Sequence, residues 1–376
     1  DFEANRLHAC KHVERVRLAA AAGDLPWPEA HARAASRPRA YLHFGEAIQP
    51  RWLGESEPAP ELFDALGRWL GPVGDLRAVR EAMLRLGPRA EPESLRWLDE
   101  RLERIPDFAA DPASLVPDTP APLHAYQRAG IAFLARAGRA LLADEMGLGK
   151  TVQAILAAAV LRHAKRPVRA VTVACPASLR SGWQDEIRRW LGEDATLLVG
   201  SPEARRATIA SRPAFLVTHY EQILRDREAH AAHPPDLLIV DEAQRAKGLH
   251  AATARALKSI GARHVFALTG TPLENRLEDA YAIAQLIDQR LLPPLWQLER
   301  DHEVREEGAR VVAYRGLDAL RTRLAPAFLR RRKEDVALDL PERVRSVVRV
   351  PMPPGCVEAY ESALASVRRI ASRKRL

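Results

Sequence analysis

Apolar residues follow two rhythms along this chain. From residue 123 onward, short apolar runs at 140–143, 170–174, 196–199, 215–218, 237–240 and 265–268 alternate with stretches of helical spacing at 151–162, 179–191 and 278–288. A strand covered on both faces reads as a continuous apolar run, and an amphipathic helix between two such runs is what a parallel crossover requires. The pattern therefore predicts an α/β fold, a parallel sheet with helices on both faces. Upstream, over 1–117, the spacing is helical, as at Leu62, Phe63, Leu66, Trp69 and Leu70, but prolines at 26, 28, 58, 60, 72, 88, 92 and 106 cut it into short pieces. Further prolines at 112, 117, 120 and 122 mark a linker. From about 290 to 340 the pattern is helical and basic, and 344–350 alternates like a new strand. The expected divisions are a mostly helical accessory region over 1–117, a sheet domain over 118–290, a basic bridging segment over 291–342 and the start of another domain over 343–376.

The chain has 376 residues, 47% of them hydrophobic and 28% charged, which is enough to bury a core and excludes global disorder. No apolar run approaches the roughly eighteen residues of a membrane helix, and no secretory signal opens the chain. Three cysteines, Cys10, Cys175 and Cys356, imply no disulfide framework and point to a reducing compartment. The net charge of +8 is unevenly placed: −3 over 1–117, +5 over 118–300 and +6 over 301–376, so a polyanion would face the middle and the end. Only 7 of the 57 basic residues are lysine. Arg and Ala dominance suggests a GC-rich genome, and a bacterial cytoplasmic, nucleoid-associated location is the expectation.

Two clusters carry chemistry. The run at 140–143 is followed by Asp144, Glu145, Met146, Gly147, Leu148, Gly149, Lys150 and Thr151, and then by a helix. Two glycines let backbone amides approach phosphate oxygens, and the amides and the helix N-terminus point at the anion. Lys150 would place its charge on the β- and γ-phosphates of ATP, and Thr151 its hydroxyl on Mg²⁺. The strict phosphate-loop pattern has glycine where this chain has Asp144; Gly147 and Gly149 keep the cradle. The run at 237–240 leads into Asp241, Glu242, Ala243 and Gln244. A strand delivering two carboxylates at its C-terminal end sets them where open α/β sheets bind ligands. Asp241 would hold Mg²⁺, and Glu242 would orient and deprotonate the attacking water. Taken alone, Asp-Glu after a strand is also a common helix N-cap pair.

Residues 122–350 resemble the Swi/Snf-type ATPases of helicase superfamily two, double-stranded-DNA translocases related to the DEAD/DEAH-box helicases. The resemblance rests on motifs in order. Residues 123–130, around Gln127, are similar to the adenine-reading glutamine motif, and 144–151 to motif I. Residues 174–179 with Trp183, Glu186 and Trp190 are similar to motif Ia, 217–221 to motif Ib and 241–244 to motif II, with Gln244 where His is more usual. Residues 268–275 are similar to motif III, and 328–336 with Leu340 and Pro341 to the segment entering the second motor lobe. The resemblance implies two RecA-like lobes with ATP between them, the first here and the second only begun, so that residues 1–376 alone would turn over slowly. It implies that Gln127 reads adenine and that Gln244, Thr269, Gly270 and Thr271 couple the nucleotide to DNA. It also implies that Ser178, Arg180 and Thr218 contact the DNA backbone, where hydroxyls, guanidinium groups and amides meet phosphate. It assigns Arg330, Arg331 and Arg332 to the bridging segment.

Cys10 and His12, in a Cys-x-His step before an amphipathic stretch, resemble the second half of a SWIM zinc finger. Two ligands do not close a structural Zn²⁺ site, which takes four. The reading that follows is an ATP-driven motor lobe on duplex DNA, with residues 1–117 open to other proteins. The alternatives are a nucleotide-dependent interaction module without useful turnover, and an RNA helicase, which the Thr-Gly-Thr-Pro form of motif III disfavours.

Overall fold

The computed structural model describes residues 39–44, 48–53, 59–63, 68–71, 75–246, 252–270, 277–289, 291–306, 311–336 and 353–373. They belong to two compact units, Asp1–Val336 and Ala337–Leu376.

The accessory region is not helical throughout. It opens with an antiparallel pair, β1 (Arg39–Phe44) and β2 (Ile48–Leu53). Helices α1 (Leu76–Arg85) and α2 (Pro92–Glu103) follow. The Asp75 carboxylate caps α1 by accepting from the amides of Arg77 at 2.9 Å and Ala78 at 3.1 Å. Trp52, Phe63, Met83, Trp97 and Leu98 close a small core of their own.

The sheet domain starts with α3 (Ala125–Ala137), β3 (Arg139–Leu142) and α4 (Lys150–Leu161). It continues through β4 (Val171–Cys175), α5 (Arg180–Leu191), β5 (Thr196–Leu197), α6 (Pro202–Ala210), β6 (Phe215–His219), α7 (Tyr220–Arg225) and α8 (Arg227–Ala232). Next come β7 (Leu237–Val240), α9 (Ala252–Ser259), β8 (His264–Leu268) and α10 (Leu277–Ile287). Then α11 (Leu295–His302), the small pair β9 (Glu303–Arg305) and β10 (Val311–Tyr314), α12 (Leu317–Leu324) and β11 (Phe328–Leu329) complete the unit. Seven strands form one sheet in the order β11-β3-β8-β7-β4-β6-β5, every neighbouring pair parallel.

The period of two within each apolar run explains how one sheet serves two cores. Leu142, Leu237, Ile239, Phe266 and Leu268 face one core with α4; Leu141, Leu238, Val240, Val265 and Ala267 face the other with Leu257, Ile283 and Ile287. Helix α4 is buried all round from Val152 to Leu161, and that stretch is apolar except for Gln153. Because all seven strands run the same way, residues 143–149, 176, 241 and 269 emerge together at the C-terminal edge. Arg139 ties the opposite edge. Its guanidinium donates to the carbonyls of Ile287, Ala262 at 2.7 Å and Arg263 at 3.0 Å, and burial pulls its pKa down to about 9.

In the second unit, helix α13 (Pro354–Arg373) presents Tyr360 and Val367 to solvent. The strand expected at 344–350 lies outside the described residues.

Candidate nucleotide site

The loop between β3 and α4 turns on its glycines. Gly147 has φ 91° and Gly149, the residue before α4, has φ 72°, both in the region that side chains with a Cβ avoid. Gly149 also lies directly under the adenine-motif glutamine, because a Cβ there would stand 2.7 Å from Gln127 Nε2. Buried Leu148 pins the loop from below, while Glu145 and Met146 are exposed. Lys150 opens the helix, with Thr151 half-buried behind it, and its ammonium donates to the carbonyls of Asp144 at 2.8 Å and Glu145 at 3.4 Å. Burial lowers the Lys150 pKa, and the charges of Glu242, Asp144, Asp241 and Glu145 work against that shift. The same four carboxylates are thus the electrostatic surroundings of this one lysine.

The second cluster stands at the end of β7. The Asp241 amide donates to Ala174 O of β4 at 2.9 Å. Its carboxylate accepts from the Trp183 indole at 2.8 Å and from the Glu242 amide at 2.9 Å, and its carbonyl accepts from the Tyr220 hydroxyl. Burial raises the Asp241 pKa, with the Trp183 bond the strongest opposing influence. Burial pushes the neighbouring Cys175 thiol up to about 12, so it is an inert core group and not a nucleophile. Glu242 adopts φ 51°, a left-handed turn that swings its side chain away from the strand direction. Its carboxylate accepts from Gln244 Nε2 at 2.5 Å, and Gln244 Oε1 accepts from the Thr269 hydroxyl at 2.7 Å. Glu242, Gln244 and Thr269 therefore form one chain of hydrogen bonds from β7 to β8. Gly270 follows, and a Cβ there would come within 2.8 Å of Met146 Cγ and 3.6 Å of Lys150 Nζ. Thr271 lies outside the described residues.

The donor set fits Mg²⁺. Asp241 is a buried carboxylate with no ion-pair partner among the described residues, and carboxylate and hydroxyl oxygens are the hard ligands this cation takes. A cavity of about 560 Å³ beside the loop is lined by Glu145, Gly270, Arg330, Arg332, Lys333 and Glu334.

A family model described as the SNF2-related domain matches residues 126–375. The chain belongs to the SNF2-related family. It is 30% identical over 280 residues to the protein CHROMATIN REMODELING 5 of Arabidopsis thaliana, covering 69% of this chain and 15% of that one. To the DNA repair and recombination protein RAD54B of Mus musculus it is 29% identical over 288 residues, covering 69% of this chain and 32% of the relative. The chain thus spans less than a third of these relatives. Among solved structures it is similar to the SWI2/SNF2 ATPase core of Sulfolobus solfataricus in complex with dsDNA, with TM-score 0.52 and 26% identity, covering 60% of this chain and 48% of that one. A second structure of that core domain matches in fold with TM-score 0.50 and 23% identity, over 70% of this chain and 56% of the other.

One expectation needs correcting for this SNF2-related chain. Thr218, expected on a DNA-facing surface, is fully buried; its hydroxyl donates to Gln222 Oε1 at 3.1 Å, because it sits on β6, which is paired on both sides by β4 and β5 and covered on both faces. Asp144, expected in the ATP-binding loop, has its side chain fully buried and paired with Arg331, whose Nη2 stands 2.5 Å from Oδ2. Of the other DNA candidates, Ser178 is exposed, and Arg180 is half-buried with Nε 3.4 Å from Ala177 O. Cys10 and His12 lie outside the described residues, among which no group of three or more His, Cys, Asp or Glu is arranged to hold a metal. No described helix is long and apolar enough to cross a membrane.

The sequence did not single out Tyr220, or Trp183 beyond its place in a motif, as supports of Asp241. It also did not show that residues 328–333 run over the phosphate loop. Strand β11 extends the sheet beside β3, the Ala143 amide donates to Leu329 O at 2.7 Å, and the Glu145 amide donates to Arg331 O at 3.0 Å.

Proposed function

We propose that this chain is the nucleotide-hydrolysing lobe of a DNA-dependent motor, with ATP bound on the phosphate loop and duplex DNA as the track. One observation carries the reading: Lys150 of the loop lies in the field of Asp241 and Glu242, and the latter is hydrogen-bonded through Gln244 to Thr269. The loop amides and the N-terminus of α4 would receive the polyphosphate, with the Lys150 ammonium between phosphate oxygens and its present carbonyl partners. Thr151 and Asp241 would hold Mg²⁺, which supplies charge neutralisation at the phosphates. Trp183 and Tyr220 fix Asp241, so its carboxylate does not have to reorganise when the cation binds.

Glu242 is assigned the proton of the attacking water. It is half-buried and anchored by one donor, the Gln244 amide, leaving its second oxygen for a water. Any shift of Glu242 on that water draws on Gln244 and hence on Thr269, at the strand end next to Gly270. That chain gives a physical route from nucleotide state to motif III. Gln127, lying against Gly149, is assigned the adenine end.

Duplex DNA is proposed on three grounds: the positive charge carried after residue 117, the exposed Ser178 beside Arg180, and the similarity to a core solved with dsDNA. Lys150→Ala is the direct test of the nucleotide site. It removes the one ammonium of the loop, so ATP affinity measured by calorimetry on the full-length protein should fall at least about tenfold, a charge-assisted contact being worth about 1.5–3 kcal/mol. Unchanged affinity would remove the phosphate loop from the account.

A further inference from the structure

Asp144 stands where a strict phosphate loop has glycine, and it brings a carboxylate to the base of a cradle meant for a polyanion. The structure surrounds it completely. Arg331 donates to it in a fork, Nε to Oδ1 at 3.0 Å and Nη2 to Oδ2 at 2.5 Å, and the Arg331 amide adds a third bond to Oδ1 at 3.1 Å. The same guanidinium donates through Nη2 to Gln153 Oε1 at 2.8 Å and through Nη1 to Tyr126 O, and it lies 5.3 Å from the centre of the Tyr126 ring. Gln153 in turn donates to Asp144 Oδ2 at 3.2 Å and to Leu148 O at 3.0 Å. One arginine, 14% exposed, therefore joins the adenine-motif helix, the phosphate loop and the helix behind it.

The network is built into the fold from a further direction. Gly130 of α3 faces it, and a Cβ there would come 1.9 Å from Gln153 Oε1 and 2.7 Å from Arg331 Nη2. Arg331 follows β11, and over this segment the Leu329 and Arg331 carbonyls accept from the Ala143 and Glu145 amides while the Lys333 amide donates to Glu145 Oε2 at 2.8 Å. Resting on the nucleotide reading above, we propose that Arg331 is a positioning residue of the ATP site: it neutralises Asp144 and clips residues 328–333 onto the phosphate loop, so that the loop meets phosphate without an opposing buried charge.

The proposal predicts unequal effects from its two partners. Arg331→Ala leaves the Asp144 carboxylate buried and unpaired beneath the phosphates. Asp144→Asn leaves the Arg331 cation in place. Binding of Mg·ATP to the full-length protein, measured by calorimetry, should weaken at least about tenfold in Arg331→Ala, should not weaken in Asp144→Asn, and should return to within about threefold of wild type in the double variant. In steady state the Arg331→Ala loss should appear in KM, with kcat within about threefold, because the residue touches no reacting atom.

A purely structural pair would behave otherwise: both single variants would weaken binding, and that outcome overturns the proposal. Wild-type affinity in Arg331→Ala overturns it equally. If Arg331→Ala does not fold, the same cycle is run with Arg331→Gln, which removes the charge but keeps hydrogen-bond donors, and weakened binding there beside unweakened binding in Asp144→Asn is the deciding result. The Lys150→Ala control separates the two claims. Lost binding there with an unaffected Arg331→Ala sinks only the positioning role, whereas wild-type binding in Lys150→Ala sinks the nucleotide site itself.

Discussion

At Glu242 the backbone pays about 1 kcal/mol or more for a left-handed conformation that glycine would adopt freely. The cost is held in place by the Tyr220 hydroxyl on the Asp241 and Glu242 carbonyls and by the Gln244 amide on the carboxylate. Two buried histidines shape the response to acid, His264, which burial pulls down to about 3, and His230. His230 is fully buried on α8, and burial pulls its pKa down to about 4. The unfolded chain takes up this proton below about pH 6.5, the folded one not until about pH 4, so the unfolded state binds more protons between those values. The His230 contribution to stability should therefore be flat above pH 6.5 and decline as pH falls toward 4, by about 2 kcal/mol at pH 5. Denaturation of His230→Leu at pH 7 and pH 5 should show a pH difference smaller than wild type by about that amount, His264 retaining its own share; an equal difference would mean that His230 contributes nothing. At this scale Lys150, Asp241 and Glu242 were legible in the sequence because each sits in a local strand–loop–helix context. The Asp144–Arg331 pair was not, because its partners lie 187 positions apart and only the sheet brings them together.

Among the elements, the central strands were the easiest to read. The run at 237–240 is β7 residue for residue, and 265–268 falls one residue short of β8, since an apolar run needs no partner to be recognised. Edge elements gave no such signal. Strand β11 is two residues long in an arginine-rich stretch, and β1–β2 lay in a segment read through its prolines. Thr218 was misplaced for the opposite reason: its motif suggested a surface, while its strand is buried along nearly its whole length. Helix α3 offers a test of how tightly elements are fitted. Replacing glycine by alanine inside a helix ordinarily stabilises by about 0.5–1 kcal/mol. Gly130→Ala should instead destabilise, because its Cβ would lie 1.9 Å from Gln153 Oε1, and should lower the melting temperature. A raised melting temperature would show that Gln153 and Arg331 move aside without cost.

Over the whole molecule, charge and topology act together. All sheet strands end at one edge, which gathers the phosphate loop, the Asp241–Glu242 pair and the Thr269 turn, while the basic excess lies after residue 117. A surface that tracks phosphate and reads no bases should bind duplex DNA with little sequence preference, and log affinity should fall with log salt at about −0.9 per phosphate neutralised. A flat salt dependence, or strong preference for one sequence, would contradict a translocating motor. The central claim is that Glu242 activates the water that cleaves ATP, and one comparison tests it most directly. DNA-stimulated ATP turnover of the full-length protein is measured beside its Glu242→Gln variant, with ATP affinity taken on the same samples. Removing a general base costs about 10²- to 10⁴-fold, so turnover should fall by at least about a hundredfold while affinity stays within about twofold. Wild-type turnover in Glu242→Gln would contradict the account.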